Sequence, residues 1–490
     1  MTLCQAVREV AGRRPEACAI EETGGPSVSY RELVALVDQL ADGLAERGVG
    51  AGDCVGFALR NSIGYVALIL ATASLGARYV PLLSGFGEQE VKEALRLTRP
   101  VLLVADREVP AEVPAVSLDQ LLSSGSNSAT ADRPREGRTP APGVFRILWS
   151  SGSTGFPKGI VWRQDKFVAE RRRWIADTAI DDTDVVFCRH PLDVAHATDL
   201  HVFAALLSGA RLVLADPATQ PRLLLRQLAQ YRATVTSALP RHYEELIAAA
   251  EPGRRPDLAG LRRALCGGAY LSPAVSLRAR EVLGITVREI YGSTEFGLGL
   301  GDMSGEGLAP VAGVGTRIET LPGSTDIGEL VLRSDCTSEG YVENPAANAR
   351  TFRSPEFWTG DVACRLPDGR LRILGRLTDA LATPAGPLLA PMLDEELAAT
   401  GAVAETVSLP VHPQGSGGEG HGGEGYGSGV LVAVRPAGAG PAARATAFEA
   451  VTAVLKRHHL RGTVEFVDAV PRTEVGKVNK PLLRERWGLR

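Results

Sequence analysis

Between residues 30 and 44 the apolar side chains Leu33, Leu36, Val37, Leu40 and Leu44 recur at the spacing of one helix face, and Gly48 and Gly50 supply a stop. The stretch 65–77 (YVALILATASLGA) is apolar almost throughout, too short to span a bilayer, and reads as a buried helix. Downstream, short β-like runs alternate with helical patterns. Strands are expected at 55–59, 79–83, 101–105, 145–149, 185–188, 212–215, 235–239 and 287–291. Helices are expected at 88–96, 203–207, 222–231, 242–250 and 273–282. Such alternation implies largely parallel sheets covered by helices.

From 311 to 376 the pattern changes to short strands and turns, with Asp368-Gly369 as a hairpin signal between 362–366 and 371–374. A second module follows Arg376, with strands at 405–409, 429–434 and 463–467 and a helix at 445–458. The expected fold class is therefore α/β. A large N-terminal domain (1–376) would hold parallel-rich sheets with helices and a small β-rich subdomain (311–376), and a small, mobile α+β lid domain (377–490) would follow. The Ser-, Pro-, Arg- and Gly-rich stretch 123–143 reads as an exposed connection, and the glycine-rich tract 412–429 as a hairpin tip.

A length of 490 residues suggests two or three domains. The formal net charge of -4 argues against an overall nucleic-acid-binding surface; the basic run 163–174 (RQDKFVAERRRW) reads as a solvated helix face. Seven scattered cysteines, without a CxxC pair, fit reduced thiols in the cytosol. No signal-like apolar core follows the N-terminus and no membrane partner is expected, so the expected location is cytoplasmic.

The chemistry concentrates at 149–160, WSSGSTGFPKGI. Ser150, Ser151, Ser153 and Thr154 offer hydroxyls, Gly152 and Gly155 let backbone N–H groups approach phosphate oxygens, and Lys158 adds a point charge. The Walker spacing is absent, because Gly159 follows Lys158. A flexible Gly/Ser connection would share this composition, but it predicts no matching parts elsewhere.

Matching parts occur in order: REIYGSTEFG (288–297), WTGD (358–361), Gly375-Arg376 and PRTEVGKVNK (471–480). With the loop, they resemble the adenylate-forming superfamily of acyl- and aryl-CoA ligases, luciferases and peptide-synthetase adenylation domains. The resemblance runs from about Ser29 to the C-terminus.

The resemblance implies that Ser151, Ser153, Thr154 and Lys158 hold the β- and γ-phosphates of ATP. Thr294 would bond the α-phosphate, and Glu295, with Thr154, would help bind Mg²⁺, a hard cation that prefers oxygen ligands. Within YGSTE, Tyr291 would lie against adenine, with Gly292 and Ser293 beside the nucleotide. Gly267, Gly268 and Ala269, in CGGAY (266–270), would line the base and the acyl pocket with their backbone. Asp361 would accept hydrogen bonds from the ribose hydroxyls, Arg376 would bind the ribose or a phosphate, and Lys477 would bridge the substrate carboxylate and the α-phosphate. In PLDVAHATDLH (191–201), His196 is the candidate carboxylate gate, and Asp193 could read a polar substituent. His190, His196 and His201 lack a convincing metal-ligand spacing.

Two departures stand out. Where relatives carry GRxDD followed by Ile-Lys and a paired glycine, this chain reads GRLTDALATPAGPLL (375–389). Thr378 takes the hinge position, Ala382 replaces the lysine, and Pro384-Ala385-Gly386 replaces the glycines of the pantetheine path. At GYVENPAANARTF (340–352) a customary threonine has become Asn348. Adenylation is thus better supported than thioester formation. The leading expectation is an AMP-forming ligase that activates a small carboxylic acid, aromatic by preference, and transfers it to CoA. A carrier-protein thiol or an amine is the alternative acceptor. A non-catalytic nucleotide-binding homologue is a second alternative, against which the joint presence of Lys158, Thr294, Glu295, Asp361 and Lys477 argues. A kinase would release ADP instead of AMP and pyrophosphate.

Overall fold

The computed structural model describes residues 1–125, 143–150, 156–251, 253, 256–411, 429–472 and 478–489. The connection 126–142, the glycine-rich tract 412–428, Ser151–Thr154 with Gly155, and Lys477 therefore lie outside the described residues. Among the described residues the N-terminal domain rests on two parallel-rich sheets. One, seven-stranded, runs in spatial order Gly340–Tyr341, Gly159–Arg163, Val144–Trp149, Arg78–Pro81, Cys54–Ala58, Leu102–Ala105, Ala115–Val116. The other, nine-stranded, places Val287–Ser293, Arg263–Cys266, Val235–Ala238, Val185–Cys188, Arg211–Leu214 and Cys18–Glu22 side by side in parallel, with antiparallel strands at both edges.

Burial on both faces explains why these strands read as unbroken apolar runs: every residue of Cys54–Ala58 and of Val235–Ala238 is buried. The helix Ile63–Ser74 is buried along nearly its whole length, as its composition demands. The amphipathic helix Tyr30–Glu46 starts at a capping box, in which Ser29 Oγ accepts from the Glu32 N–H and the Glu32 carboxylate accepts from the Ser29 N–H. Among the described residues no helix is long and apolar enough to cross a membrane.

The basic run differs from its expectation. It forms the helix Gln164–Thr178, but Arg171 is wholly buried, paired with Glu170, and donates to the Asp199 carbonyl. Arg146, on the strand leading to the loop, is also buried. It forks onto Asp199, and its guanidinium stands 4.2 Å from the centroid of Phe167. Buried cations require carboxylate partners, and Asp199 lies too far along the chain from Arg146 for a local pattern to show the pairing.

The β-rich subdomain is an antiparallel sheet of Gly315–Thr320, Ile327–Arg333, Glu356–Arg365, Leu371–Arg376 and the short Phe352–Arg353. Gly369 turns its expected hairpin with a left-handed φ of 88°. A 3-10 turn, Leu377–Asp379, leads into the hairpin Ala380–Thr383 and Gly386–Leu389. The C-terminal domain packs the helices Ala390–Ala399 and Gly440–Arg457 on the sheet Val403–Val411, Gly429–Pro436, Arg461–Phe466. The architecture is thus a large α/β domain with parallel-rich sheets and a smaller α+β domain.

Candidate active site

The strands Val144–Trp149 and Gly159–Arg163 pair antiparallel, so the loop between them leaves and returns at one point of the sheet edge. Its neck is closed twice: the Ser150 N–H donates to the Lys158 carbonyl at 2.9 Å, and the Lys158 N–H donates to Ser150 Oγ at 3.1 Å. One lone pair of the Ser150 hydroxyl therefore serves the neck. Beneath it, Trp149 packs against Phe86 and Phe156 and donates to the Pro81 carbonyl at 2.7 Å. A Cβ at Gly159 would meet Trp149 at 3.2 Å, so the return strand requires a small residue there.

The YGSTE segment ends the strand Val287–Ser293 in a tight hairpin. A Cβ on Gly292 would sit 2.3 Å from the Gly297 carbonyl oxygen, which only glycine avoids. Ser293 Oγ accepts from the Phe296 N–H, and Trp162 donates to the Thr294 carbonyl at 2.7 Å. Glu295 projects toward Tyr341, whose hydroxyl donates to Glu295 Oε1 at 3.0 Å. Lys158 Nζ lies 5.1 Å from the centroid of the same tyrosine ring. Tyr341 thus joins the cation at the loop neck to the carboxylate of YGSTE. Burial first, and then Glu295, push its phenol pKa upward, so it remains a donor.

Tyr341 lies in the string GYVENPAANARTF, singled out in the sequence only for Asn348. Its support comes from Asn348, the departure from the usual threonine. Asn348 Oδ1 accepts the Tyr341 N–H at 2.7 Å, while Asn348 Nδ2 donates to the Tyr341 carbonyl at 2.9 Å. A side-chain amide can bond both backbone groups with separate atoms, which a single hydroxyl cannot do.

Asp361 and Arg376 face each other in register across Glu356–Arg365 and Leu371–Arg376. Arg376 Nε lies 2.8 Å from Asp361 Oδ1, and the Tyr291 hydroxyl donates to Asp361 Oδ2 at 2.5 Å. The structure therefore brings Tyr291, Asp361 and Arg376 together. Each carboxylate oxygen keeps a second lone pair, the capacity a ribose diol would use.

Gly267, Gly268 and Ala269 follow the strand Arg263–Cys266 at the carboxyl edge of the parallel sheet, where α/β folds bind ligands. The Gly267 N–H donates to the Ala238 carbonyl at 3.3 Å, a Cβ there would meet the Ile290 carbonyl at 2.8 Å, and Gly268 has φ 81°. Beside this loop the structure gathers four histidines. The ring of His190 is 4.4 Å from that of His196, 5.7 Å from His201 and 5.1 Å from His242. Ser237 organises three of them: its N–H donates to His201 Nε2, its carbonyl accepts from His190 Nε2, and its Oγ lies 3.0 Å from His196 Nε2. Burial keeps His190 well below the usual range and lowers His201 to about 4 and His242 to about 3. His242 was not singled out by the sequence, because it enters from the helix Pro240–Ala249. Asp193 accepts from the Ser84 N–H through Oδ2 at 3.2 Å.

The family model of the AMP-binding enzyme matches residues 7–342. A feruloyl-CoA synthase from Amycolatopsis is 28% identical over 489 aligned residues, covering 97% of this chain and 96% of the relative. ATP-bound MatB from Rhodopseudomonas palustris shares the fold with a TM-score of 0.84 at 24% identity, over 99% of both chains. The amide bond synthetase McbA from Marinactinospora thermotolerans superposes with a TM-score of 0.83 at 25% identity, also over 99% of both chains. The chain belongs to the AMP-binding enzymes of the adenylate-forming superfamily, whose common chemistry is the ATP-dependent activation of an acid.

Proposed function

We propose that this chain joins a carboxylic acid, aromatic by preference, to the α-phosphate of ATP, releases pyrophosphate, and passes the acyl group to CoA. The observation that carries the reading is the convergence of Lys158, Tyr341 and Glu295 at the loop neck, with Tyr291, Asp361 and Arg376 on the strand that carries YGSTE and on the sheet facing it. Adenylation crowds negative charge at phosphorus, so cations and preorganised donors must meet it there.

In this reading Lys158, with Ser151, Ser153 and Thr154, holds the departing phosphates. Thr294 bonds the α-phosphate, Asp361 and Arg376 hold the ribose, and Tyr291 lies against the base. The Gly267–Ala269 backbone lines base and acid, His196 gates the carboxylate, and Lys477 bridges it to the α-phosphate. Glu295 fits a magnesium ion: Tyr341 steadies Oε1, and Oε2 meets no hydrogen-bond donor among the described residues. Glu295 and Thr154 would hold the ion, which would neutralise phosphate charge.

The full-length likeness to a feruloyl-CoA synthase supports an aromatic acid and CoA. Ala382 and Pro384-Ala385-Gly386 favour a second reading for the acceptor, a carrier-protein thiol or an amine, and the likeness to an amide bond synthetase supports it. The test is a carboxylic-acid panel scored by acid-dependent pyrophosphate release, repeated with CoA and with amines. Aromatic acids should lead the panel, with AMP as the nucleotide product. Release independent of every acid, or ADP as product, would overturn the proposal.

A further inference from the structure

Four charged side chains from three segments of the chain meet in the interior of the N-terminal domain. Arg146 and Arg171 are wholly buried, and Asp199 and Glu170 nearly so. Arg146 forks onto Asp199, Arg171 forks onto its neighbour Glu170, and Arg171 joins the two pairs by donating to the Asp199 carbonyl at 2.9 Å. Phe167 packs against both guanidinium groups, 4.2 Å from that of Arg146 and 5.8 Å from that of Arg171. Buried ion pairs add little stability over apolar side chains of the same volume, so such a quartet is better suited to fixing geometry.

Glu170 has a further partner. Its Oε1 accepts the Leu298 N–H at 2.9 Å, on the strand Gly297–Gly301 that returns from YGSTE. A Cβ on Gly297 would stand 2.5 Å from the same oxygen, and Gly297 has a left-handed φ of 84°, so the turn lies directly on the carboxylate. Elsewhere the turn is held through its carbonyls: Thr294 accepts from Trp162 at 2.7 Å, and Glu295 accepts from the Ser338 N–H at 3.0 Å. Thr294 and Glu295 are thus gripped between two neutral donors and one carboxylate that Arg171 keeps from rotating.

We propose that Glu170 is a positioning residue for adenylation: through the Leu298 N–H it sets the end of the turn, so that Thr294 and Glu295 present to the α-phosphate and its magnesium ion. The inference rests on the adenylation reading above. Glu170 acts through the backbone of the turn and not on the substrate. The hydrogen bond to Leu298, more than the charge of Glu170, is then the part that governs rate, and Arg171 serves to hold the acceptor in place.

The test compares two double variants of the full chain, Glu170→Met with Arg171→Met and Glu170→Gln with Arg171→Met. Both remove the ion pair as a unit, so neither leaves a buried charge alone, and both lose the same donation to Asp199. Their difference isolates the acceptor for Leu298. Pyrophosphate exchange is measured with the acid that leads the panel, and melting temperatures are recorded beside it. The first variant should lose about tenfold in kcat, because the Leu298 N–H is left buried without its acceptor, while KM for ATP and for the acid stays within about twofold of wild type. The second should recover most of that loss. A residue that only stabilises the fold would shift the melting temperature and leave kcat unmoved below the transition. Unchanged kcat in the first variant, equal losses in the two, or a loss carried by KM alone would overturn the proposal. If the first variant does not fold, Gly297→Ala takes its place, since it drives a methyl group against Glu170 with both ion pairs present. A tenfold loss of kcat there supports the proposal, and an unchanged kcat overturns it. If the wild-type chain shows no acid-dependent exchange, the adenylation reading fails instead, and hydrogen exchange at the Leu298 amide judges the contact by itself. Its protection should be about tenfold lower in the first variant than in the second, and equal protection would reject Glu170 as a constraint on the turn.

Discussion

Replacing Tyr341 by Phe removes a single oxygen atom from the place where the loop neck meets YGSTE. The lost interaction is the 3.0 Å hydrogen bond to Glu295, while the ring 5.1 Å from Lys158 remains. A hydrogen bond to a charged acceptor is worth about 1.5–3 kcal/mol. Tyr341 is only 8% exposed, but Glu295 is partly solvated, so the lower end applies: about 1.5 kcal/mol, or roughly tenfold in kcat/KM. The cation–π contribution, about 0.5–1 kcal/mol, should be lost only in Tyr341→Ala. Acid-dependent pyrophosphate exchange, titrated with Mg²⁺, measures both variants. Tyr341→Phe should raise the magnesium concentration needed for half-maximal rate, because the carboxylate is no longer held. In a Glu295→Ala background the same substitution should cost less than about twofold. An undiminished tenfold loss in that background would refute the coupling and assign Tyr341 another role.

Three further outcomes are expected. Lys477→Ala should slow adenylation by about 10² to 10³, the scale for losing a preorganised charged donor, and unchanged pyrophosphate exchange would reject its role. Gly292→Ala should cost about 1–3 kcal/mol of stability, since its Cβ would stand 2.3 Å from the Gly297 oxygen, whereas Gly12→Ala, with nothing within 4 Å, should be neutral or stabilising; thermal melts compare the two. Asp394 accepts from Ser408, and burial raises its carboxyl to about 7, near Asp379 and despite Lys480. A raised carboxyl binds its proton more tightly when folded, so its contribution to stability falls as pH rises from about 4 to about 7 and levels off above. Melting temperatures across pH 5 to 8 should show that decline in the wild-type chain and a flatter profile in Asp394→Asn.

The parallel core was legible because its strands are buried on both faces and so write continuous apolar runs, as at Val185–Cys188 and Val235–Ala238. The antiparallel strand Gly159–Arg163, flanked by Gly340–Tyr341 and Val144–Trp149, was not among the expected strands, since direction leaves no mark on hydrophobicity. The motifs assigned to the nucleotide were legible as short contiguous strings. What stayed hidden depends on pairs distant in sequence: Tyr341 with Glu295, Asn348 with the Tyr341 backbone, and Arg146 with Asp199. The contact of Asp193 with Ser84 was hidden for the same reason, because Ser84 lies far upstream in the chain.

Three members of the four-histidine cluster are silent to titration near neutral pH. Backbone amides of Ser237 and Leu239 lock one ring nitrogen each of His201 and His242 as acceptors, and burial holds His190, His201 and His242 below the range where imidazoles buffer. Those three rings stay uncharged around neutral pH, so the groups packed on Ser237 keep the same electrostatic surroundings there. A break near pH 6.5 in the rate profile would have to originate in some other group of the chain.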